Sequence, residues 1–399
     1  MHRVVVTGMG AVSACGLGAD ALWRAARDGV SGRKPVHYPE IDTQRVGHAA
    51  ALAAPDLAQV IDAAGSRMRD PVAAYALVAA REAVAQAKLG PDDFGDACGV
   101  SIGSGFGGAQ TLNTNYLKFA AEGSMRLDPM SVPKIMNNAA ASWVSIEFGA
   151  TGPAYCMATA CSSASQSIGL AVQMLRAGAA QRMLAGGSEA CLESGVFRVW
   201  ELLRVMTADL NRPFSRDRNG MMLGEGAGVL VLETLEAAQA RGAEIICEIK
   251  GYGTNSDAGD LLRPDPERAA ACMGLALHDA GLSPADIAHV NAHGTGTVAN
   301  DLTEAEALRR CFGDAPPPFT STKPVHGHAL GAAGALELIV SIGALRGRMA
   351  PPTLNYTEDD PKVHLVPVHG QAQPIGAGAV MSNSLAFGGI NASLIVADV

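Results

Sequence analysis

Cys161 is the first residue in this chain whose type and setting could do covalent chemistry. It lies in ATACSSASQSIGLAVQML (158–175), between small residues and a mostly apolar segment. Most free cysteines are buried and inert, so position has to distinguish a nucleophile. A strand-like segment leads into an amphipathic helix that begins near Ser162, and a helix N-terminus stabilises a thiolate. We therefore expect a lowered pKa for Cys161, and we expect Cys156, which no helix follows, in the core.

Two later motifs carry basic side chains. NAHGTGT places His293 in a Gly/Thr turn after an apolar strand, where functional sites gather. STKPVHGHALGAAGALELIV contains Lys323 and His328, followed by an apolar helix that includes Glu337. A glutamate buried on such a helix needs a partner, and Lys323 or a histidine could supply it.

Two cofactor signals are weak. His326 and His328 form a His-Gly-His pair, but no carboxylate or further histidine stands at ligand spacing, so we expect no metal. GSGFGG (103–108) matches a dinucleotide-binding pattern, yet no βαβ unit with a ribose-binding acid follows it. A close crossing of two backbones explains these glycines better, and we expect no cofactor.

The elements that must position these residues alternate along the chain. Helical patterns separate short β-rich apolar runs, which predicts an α/β protein with helices on both faces of its sheets. Strands are predicted at 3–8, 98–105, 182–190, 228–234, 244–253, 289–296, 380–389 and 392–399. Helices are predicted at 71–88, 162–178, 234–242, 266–281, 301–312 and 331–347. An echo of the opening strand near 245–256 indicates two similar halves.

Composition narrows the class of protein. The 399 residues carry a net charge of −9 and no Lys/Arg run, which argues against nucleic-acid binding. Eight scattered cysteines without a Cys-x-x-Cys predict a reducing cytoplasm. The N-terminus resembles a lipoprotein signal, but Thr7, Gly8 and Gly10 interrupt its apolar run, so we expect a buried strand there. We expect no transmembrane helix and no membrane partner.

Taken in order, the cysteine, the histidine and the Lys-x-x-x-x-His motif resemble the elongating β-ketoacyl-acyl-carrier-protein synthases. These are KAS I/II-type condensing enzymes of the thiolase-like superfamily. The resemblance covers essentially the whole chain and rests on ordered motifs: ACSSA (160–164), RPFSRDRNGMMLGEGAGVLVLE (212–233), NAHGTGT (291–297), STKPVHGHALGAAGALE (321–337) and NSLAFGGINASLI (383–395).

The resemblance implies a thiolase-like fold, with two similar βαβαβαββ halves stacked as an α-β-α-β-α sandwich. We place the N-terminal half at 1–243, with the nucleophile Cys161, and the C-terminal half at 244–399. The implied reaction is a decarboxylative Claisen condensation of an acyl thioester with malonyl-acyl-carrier protein. It yields a 3-oxoacyl-carrier protein and CO2.

Roles follow from the resemblance residue by residue. Cys161 would carry the acyl chain, and His293 and His328 would stabilise the enolate as N–H donors. The other implied catalytic groups are the backbone N–H of Phe387, which completes an oxyanion hole with that of Cys161, and the supporting side chains Lys323 and Glu337.

Further residues would bind the substrate. Thr295 and Thr297 would contact the pantetheine arm, and Gly388 and Gly389 would line the site. Phe106 falls where the family lines its acyl pocket near the dimer interface, so we expect it to shorten or reshape that pocket.

The implied partners are an acyl carrier protein and a second subunit. The carrier protein would dock on Arg67, Arg69 and Arg204, and its phosphopantetheine would present the substrate without any other cofactor. The second subunit would form a homodimer, or a heterodimer with a chain-length-factor paralogue.

Four residues depart from the family pattern: Ser215, Asn219, His326 and Ile390. None replaces a catalytic group, so they leave the substrate open, and primary fatty-acid elongation competes with a specialised polyketide or polyene pathway. Three other classes of protein fit these residues less well. A CoA-dependent thiolase needs a late cysteine where Phe387 stands, a non-enzymatic chain-length subunit lacks the nucleophile, and a cysteine hydrolase has no use for two histidines.

Overall fold

Strands and helices alternate along most of the chain, as the sequence predicts. The structure is a computed structural model and describes residues 1–60 and 68–399. The strands are β1 Val4–Ser13, β2 Gly16–Leu17, β3 Lys34–Pro35, β4 His48–Ala49, β5 Cys98–Gly103, β6 Ala154–Tyr155, β7 Arg182–Glu189, β8 Gly226–Thr234, β9 Cys247–Ser256, β10 Ile287–Asn291, β11 Phe319–Thr320, β12 Met349–Ala350, β13 Gln373–Pro374, β14 Ala379–Ala386 and β15 Ile390–Ala397.

The helices include every one that the sequence predicts. They are α1 Ala19–Asp28, α2 Ala54–Val60, α3 Pro71–Ala87, α4 Ala109–Glu122, α5 Ser131–Ile135, α6 Ala139–Phe148, α7 Ser163–Arg176, α8 Ser194–Leu202, α9 Leu235–Ala240, α10 Pro266–Ala280, α11 Val298–Phe312, α12 Lys323–His326 and α13 Ala333–Gly347. Short 3₁₀ turns precede α7 and α13.

The main sheet has two halves with the same strand order. The first half runs β6-β5-β7-β8-β1 and the second runs β11-β10-β14-β15-β9. In each half the first three strands are parallel and the last two pairings are antiparallel. Strands β1 and β9 join the two halves of the sheet, with Val5 opposite Glu248 and Val6 opposite Cys247. The two similar halves expected from the sequence are therefore present, while the 243/244 boundary stays a prediction.

Helices cover and separate these halves. On the outside, α3 packs on β1 and β8, and α10 packs on β9 and β15. Between the halves, α7 and α13 contact each other and strands of both. The helical segment 330–347 is long and apolar enough to cross a membrane, but 89% of it is buried inside the protein. It is apolar on every side because it has protein on every side.

The GSGFGG motif forms a close backbone crossing, as the sequence favours. A Cβ on Gly108 would lie 2.1 Å from the carbonyl oxygen of Lys134, and one on Gly107 would lie 2.5 Å from that of Ile135. Side chains therefore cannot replace these hydrogens, and the glycines serve packing.

Candidate active site

Cys161 lies in the 3₁₀ turn Ala160–Ser162, directly before α7. Ala160 adopts a left-handed conformation with φ of 51°, which is costly for a residue with a side chain. Two hydrogen bonds hold the turn: Thr159 N donates to Ser163 Oγ at 2.9 Å, and Ser163 Oγ donates to Ala160 O at 2.7 Å. The turn therefore fixes the position of the Cys161 sulfur.

The two histidines are positioned through their backbones. His293 follows β10, and Glu304 accepts its N–H at 2.7 Å and that of Gly294 at 2.8 Å. His328 N donates to Met222 O at 2.7 Å, and Gly224 N donates to His328 O at 3.0 Å. Their rings are thus held by elements of both halves.

These elements bring the three predicted groups together. His328 Nε2 lies 3.1 Å from Cys161 Sγ, and the imidazole centroids of His293 and His328 are 5.3 Å apart at 85°. One atom from each of the three side chains falls within 4.8 Å of the others. Such a cluster could also ligate a soft metal ion, so the expected absence of metal stays a prediction.

Lys323 lies directly behind His293. Its ammonium donates to His293 Nδ1 at 3.2 Å and also to His293 O and Glu337 Oε1. Because Nδ1 accepts this bond, the proton of neutral His293 is on Nε2. His328 differs, since its Nδ1 has no hydrogen-bond partner among the described residues. Its tautomer is therefore not fixed by the protein.

Burial sets the charge states of this cluster. It lowers the pKa of both His293 and His328 well below the ordinary value, and the nearby Lys323 charge lowers them further. Burial also raises the pKa of the Glu337 carboxyl to about 7, against the opposing charge of Lys323. Both imidazoles are therefore neutral at neutral pH.

The expected low pKa of Cys161 is wrong. Burial raises the pKa of this thiol to about 11, although the Lys323 charge and the Phe387 backbone N–H both favour the thiolate. The helix N-terminus does not outweigh the removal of the sulfur from water. Cys156, half-buried, places its sulfur 3.1 Å from Asn137 O, outside the cluster.

A cavity of about 140 Å3 leads to Cys161 and both histidines. Phe387 lines it, and its ring stacks on Trp200 with centroids 5.8 Å apart. The Phe387 backbone N–H favours the Cys161 thiolate. The structure thus places Phe387 and Cys161 in the lining of one cavity, and the oxyanion-hole role of Phe387 stays a prediction.

The residues expected to bind substrate lie around this cavity. Thr295 and Thr297 line it, with their hydroxyl oxygens 2.9 Å apart. Gly389 lines it as well, and Gly388 occupies the same turn, where its N–H donates to Leu261 O at 2.8 Å. Phe106 does not line the cavity of the single chain and is 42% exposed.

The predicted docking arginines differ in setting. Arg204 is exposed, between the cavity-lining residues Leu203 and Val205. The Arg69 guanidinium lies 4.5 Å over the Trp143 ring, its side chain is only 16% exposed, and Glu147 is 3.9 Å away. Arg69 is therefore already engaged within the protein. Arg67 lies outside the described residues.

The four departures from the family pattern do not line the cavity. Ser215 is buried and donates to Asp217 at 2.7 Å, while Asn219 is exposed. His326 Nε2 lies 3.0 Å from Thr322 Oγ1, and Ile390 is half-buried at the start of β15.

Sequence reasoning missed several residues of this region. Trp200 and Leu261 line the cavity, yet their sequence neighbourhoods carry no chemical motif. Met221 also lines it and lies in the motif at 212–233, which suggested no role for this residue. Glu189 was also missed, although a carboxylate at the end of an apolar strand is a detectable signal.

Two family models match the chain. The beta-ketoacyl synthase N-terminal domain matches residues 1–238, and the beta-ketoacyl synthase C-terminal domain matches residues 246–357. Together they span the cysteine, the lysine and both histidines.

Similar proteins agree with these matches. "Nodulation protein E" of Rhizobium sp. (strain N33) is 42% identical over 98% of each chain. "3-oxoacyl-[acyl-carrier-protein] synthase 2" of Staphylococcus aureus (strain N315) is 39% identical over 98% of this chain and 97% of that one.

Solved structures extend the likeness to the fold. One described as "The ishigamide ketosynthase/chain length factor" has a TM-score of 0.94 and 34% identity, covering 100% of this chain and 99% of that one. Another, a type II PKS acyl-carrier protein in complex with its ketosynthase, has a TM-score of 0.92 and 28% identity, with the same coverage. The chain therefore belongs to the beta-ketoacyl synthase family and is a condensing enzyme of the 3-oxoacyl-acyl-carrier-protein synthase II type.

Proposed function

We propose that Cys161 carries the acyl chain and that His293 and His328 drive the decarboxylation of malonyl-acyl-carrier protein. The observation that carries this proposal is the convergence of the Cys161 sulfur and two neutral imidazoles at one cavity, with Lys323 behind one of them. A thiol suits both half-reactions because it attacks a thioester readily and later leaves readily.

In the first half-reaction the acyl group moves from the carrier protein to Cys161. As the sulfur attacks, His328 Nε2, 3.1 Å away, takes the thiol proton. The carbon–sulfur bond to pantetheine then breaks, and that proton passes to the departing thiolate. The backbone N–H groups of Cys161 and Phe387 stabilise the oxyanion. His328 suits the proton step because its tautomer is free to change.

In the second half-reaction malonyl-acyl-carrier protein loses CO2. The electrons of the broken carbon–carbon bond form an enolate, whose oxygen accepts N–H bonds from His293 and His328. The carbanion carbon attacks the acyl-Cys161 carbonyl, and the carbon–sulfur bond to Cys161 breaks. The released thiolate takes up one proton from solvent, which balances the negative charge of the lost carboxylate. Neutral donors suit this step because it needs charge stabilisation rather than a strong base.

The test combines intact-mass detection of acyl-Cys161 with measurement of CO2 release. Wild type, incubated with a panel of acyl-carrier proteins, should gain the mass of one acyl group. Cys161→Ala should gain none, whereas His293→Ala should still become acylated but release CO2 at least about a hundredfold more slowly. An acyl group on Cys161→Ala, or unchanged CO2 release from His293→Ala, would contradict these roles.

For the carrier protein, we infer docking beside the cavity mouth. Arg204 and Arg263 flank exposed Leu203 and Leu261 there. Acyl carrier proteins are typically acidic, and this basic, apolar rim complements such a partner. The chain itself has a net charge of −9, so a local basic patch is needed. Arg67 and Arg69 remain part of the docking proposal, although Arg69 has little free surface. A cytoplasmic location likewise stays a prediction.

A second subunit fits the face around α4. This α4 face carries exposed apolar side chains beside the edge strand β6, whose outer backbone groups are unpaired in the sheet. Its members are Phe106, Leu112, Tyr116, Phe119, Val132 and Tyr155. We infer a two-fold dimer at this face, with Phe106 completing the acyl pocket at the interface.

A second candidate is the catalytic subunit of a ketosynthase–chain-length-factor heterodimer in a specialised pathway. The likeness to the ishigamide ketosynthase/chain length factor favours it. Incubation with saturated and unsaturated acyl-carrier proteins, with the chain alone, separates the two. Condensation by the chain alone supports the homodimeric enzyme, whereas acylation without elongation supports the heterodimer.

A further inference from the structure

Glu189 is a fully buried carboxylate that the proposed mechanism does not use. It is the last residue of β7, and its side chain accepts hydrogen bonds from three backbone N–H groups. Gly105 N donates at 2.7 Å, Phe106 N at 3.1 Å and Gly331 N at 2.9 Å. The hydroxyl of Ser104 lies 3.3 Å away as a fourth donor.

These donors come from two segments that touch through their backbones. A Cβ on Gly331 would lie 2.3 Å from Gly105 N and 2.7 Å from a Glu189 carboxylate oxygen. One segment is the loop from Ser104 to Gly107, and the other is the 3₁₀ turn that starts α13. Glu189 therefore ties the turn after His328 to the loop that carries Phe106.

The turn at Gly331 repeats the turn at Cys161. Each is the middle residue of a 3₁₀ turn before a central helix. The residue before it is left-handed in both, with φ of 51° at Ala160 and 42° at Leu330. In the proposed mechanism the Cys161 turn presents its backbone N–H to the oxyanion, whereas the Gly331 turn donates its backbone N–H to the Glu189 carboxylate. The second half-site thus has an anion-binding turn that the protein's own carboxylate occupies.

Holding this carboxylate in its ionised form in the protein interior costs free energy. Burial raises its pKa to about 7, although the three N–H groups and the hydroxyl favour the ionised form. An apolar residue would avoid this burial but would leave three buried donors unpaired. The site therefore requires a side chain that can accept hydrogen bonds from all of these donors at once.

We propose that Glu189 is a positioning residue that fixes the strained Leu330–Gly331 turn, and through it His328, against the loop from Ser104 to Gly107. His328 is three residues before Gly331, and its own backbone is held on the other side by Met222 and Gly224. Glu189 therefore closes the second end of the segment that aims the His328 ring. This inference rests on the proposed role of His328 in decarboxylation.

Glu189→Gln tests the proposal with little change in shape. The amide presents an N–H2 group to donors, so the turn and the His328 ring should shift. Because the proposed mechanism uses His328 in both half-reactions, acylation of Cys161 and CO2 release should each fall at least about tenfold in kcat, with KM for malonyl-acyl-carrier protein within about twofold. Glu82→Gln is the matched control: Glu82 accepts two backbone N–H groups, from Ala11 and Ala19, outside the site.

Glu189→Gly adds a rescue experiment. Removing the side chain leaves the backbone donors facing an open space that formate or acetate can fill. Millimolar formate or acetate should restore CO2 release, and formamide should not. If Glu189→Gly does not fold, the Glu189→Gln kinetics decide. Wild-type rates of acylation and CO2 release in Glu189→Gln, or an equal loss of both in the control Glu82→Gln, would overturn the proposal. Failure of the proposed function would instead appear in wild type, as absent acyl-Cys161.

Discussion

At the scale of the residue, the resting state of Cys161 governs its reactivity. A thiol with a pKa of about 11 is protonated at neutral pH. In the proposed mechanism, reactivity toward acyl thioesters therefore depends on proton transfer to His328 rather than on a preformed thiolate. The imidazole of His328 is buried and neutral, so at this position it accepts the thiol proton in place of water.

Alkylation by iodoacetamide should report this protonation state. Because the pKa is raised, the thiolate fraction grows with pH, and the rate should rise about tenfold per pH unit from about pH 7 to about pH 10. Peptide mass spectrometry of the Cys161 peptide measures the rate, with a small-molecule thiol as control. A rate that is already constant below about pH 7 would mean that Cys161 is a thiolate at rest.

Lys323 and Glu337 form a buried ion pair that should matter for both stability and catalysis. Lys323→Met leaves Glu337 without its partner and frees Nδ1 of His293, so it should lower the free energy of unfolding by about 3–5 kcal/mol and stop decarboxylation. Lys323→Met combined with Glu337→Gln removes both charges, so stability should recover while decarboxylation does not. Denaturant unfolding and CO2 release measure the two effects. Recovery of both would show that Lys323 acts only on stability.

At the scale of the element, the turn between β14 and β15 contains Phe387, whose backbone N–H is proposed to complete the oxyanion hole. Gly389 N donates to Ala386 O at 3.0 Å, and Asp257 N donates to Gly389 O at 2.8 Å. Both Gly388 and Gly389 have positive φ, at 86° and 67°. The two glycines share a positive φ but differ in the space around them, so substitutions at the two positions can be compared as test and control.

Gly389→Ala should slow acylation of Cys161 far more than Gly388→Ala. A Cβ on Gly389 would lie 2.6 Å from that of Asp257, whereas one on Gly388 would find its nearest neighbour at 4.0 Å. Both carry a backbone strain of about 1–2 kcal/mol, but only Gly389→Ala must displace the turn. Rates of acyl-Cys161 formation, by mass spectrometry, compare them. Equal rates in the two variants would mean that the turn tolerates the displacement.

The sequence predicts strands and helices best where an apolar periodic pattern lies next to a residue that could do chemistry. The strands before Cys161 and His293 and the central helices after Cys161 and His328 follow from apolar patterns and turn residues. The sequence does not predict helices α1, α2, α4, α5, α6, α8 and α12. In α4 and α8, exposed apolar residues blur the helical period. The pKa direction of Cys161 also could not be read from the chain, since it depends on burial by distant segments.

At the scale of the molecule, the candidate site is shared between the halves. The first half contributes Cys161, and the second contributes His293, Lys323 and His328. The sequence order of these residues indicates their chemistry, but only the fold shows that Glu189 of the first half holds a turn of the second. Such a contact spans 142 positions and leaves no local pattern.

The α4 face should control the oligomeric state. Phe119→Glu combined with Val132→Glu places two charges among exposed apolar side chains and should convert a dimer to a monomer. Leu275→Glu, on the exposed side of α10, is the control and should leave the mass unchanged. Sedimentation equilibrium measures the mass. A wild-type monomer, or a dimer in the double variant, would contradict an interface at this face.

Helix α13 has a consequence for how the chain must be made. The apolar segment 330–347, eighteen residues that include α13, is covered in part by β14, which is synthesised more than thirty residues later. Elements made earlier, such as α1 and α7, cover other sides of this segment, but the side that β14 covers stays exposed until that strand emerges from the ribosome. We therefore expect chaperones to bind the chain at this stage of translation. We also expect chains truncated between α13 and β14 to aggregate, because this helix is buried on every side in the folded protein.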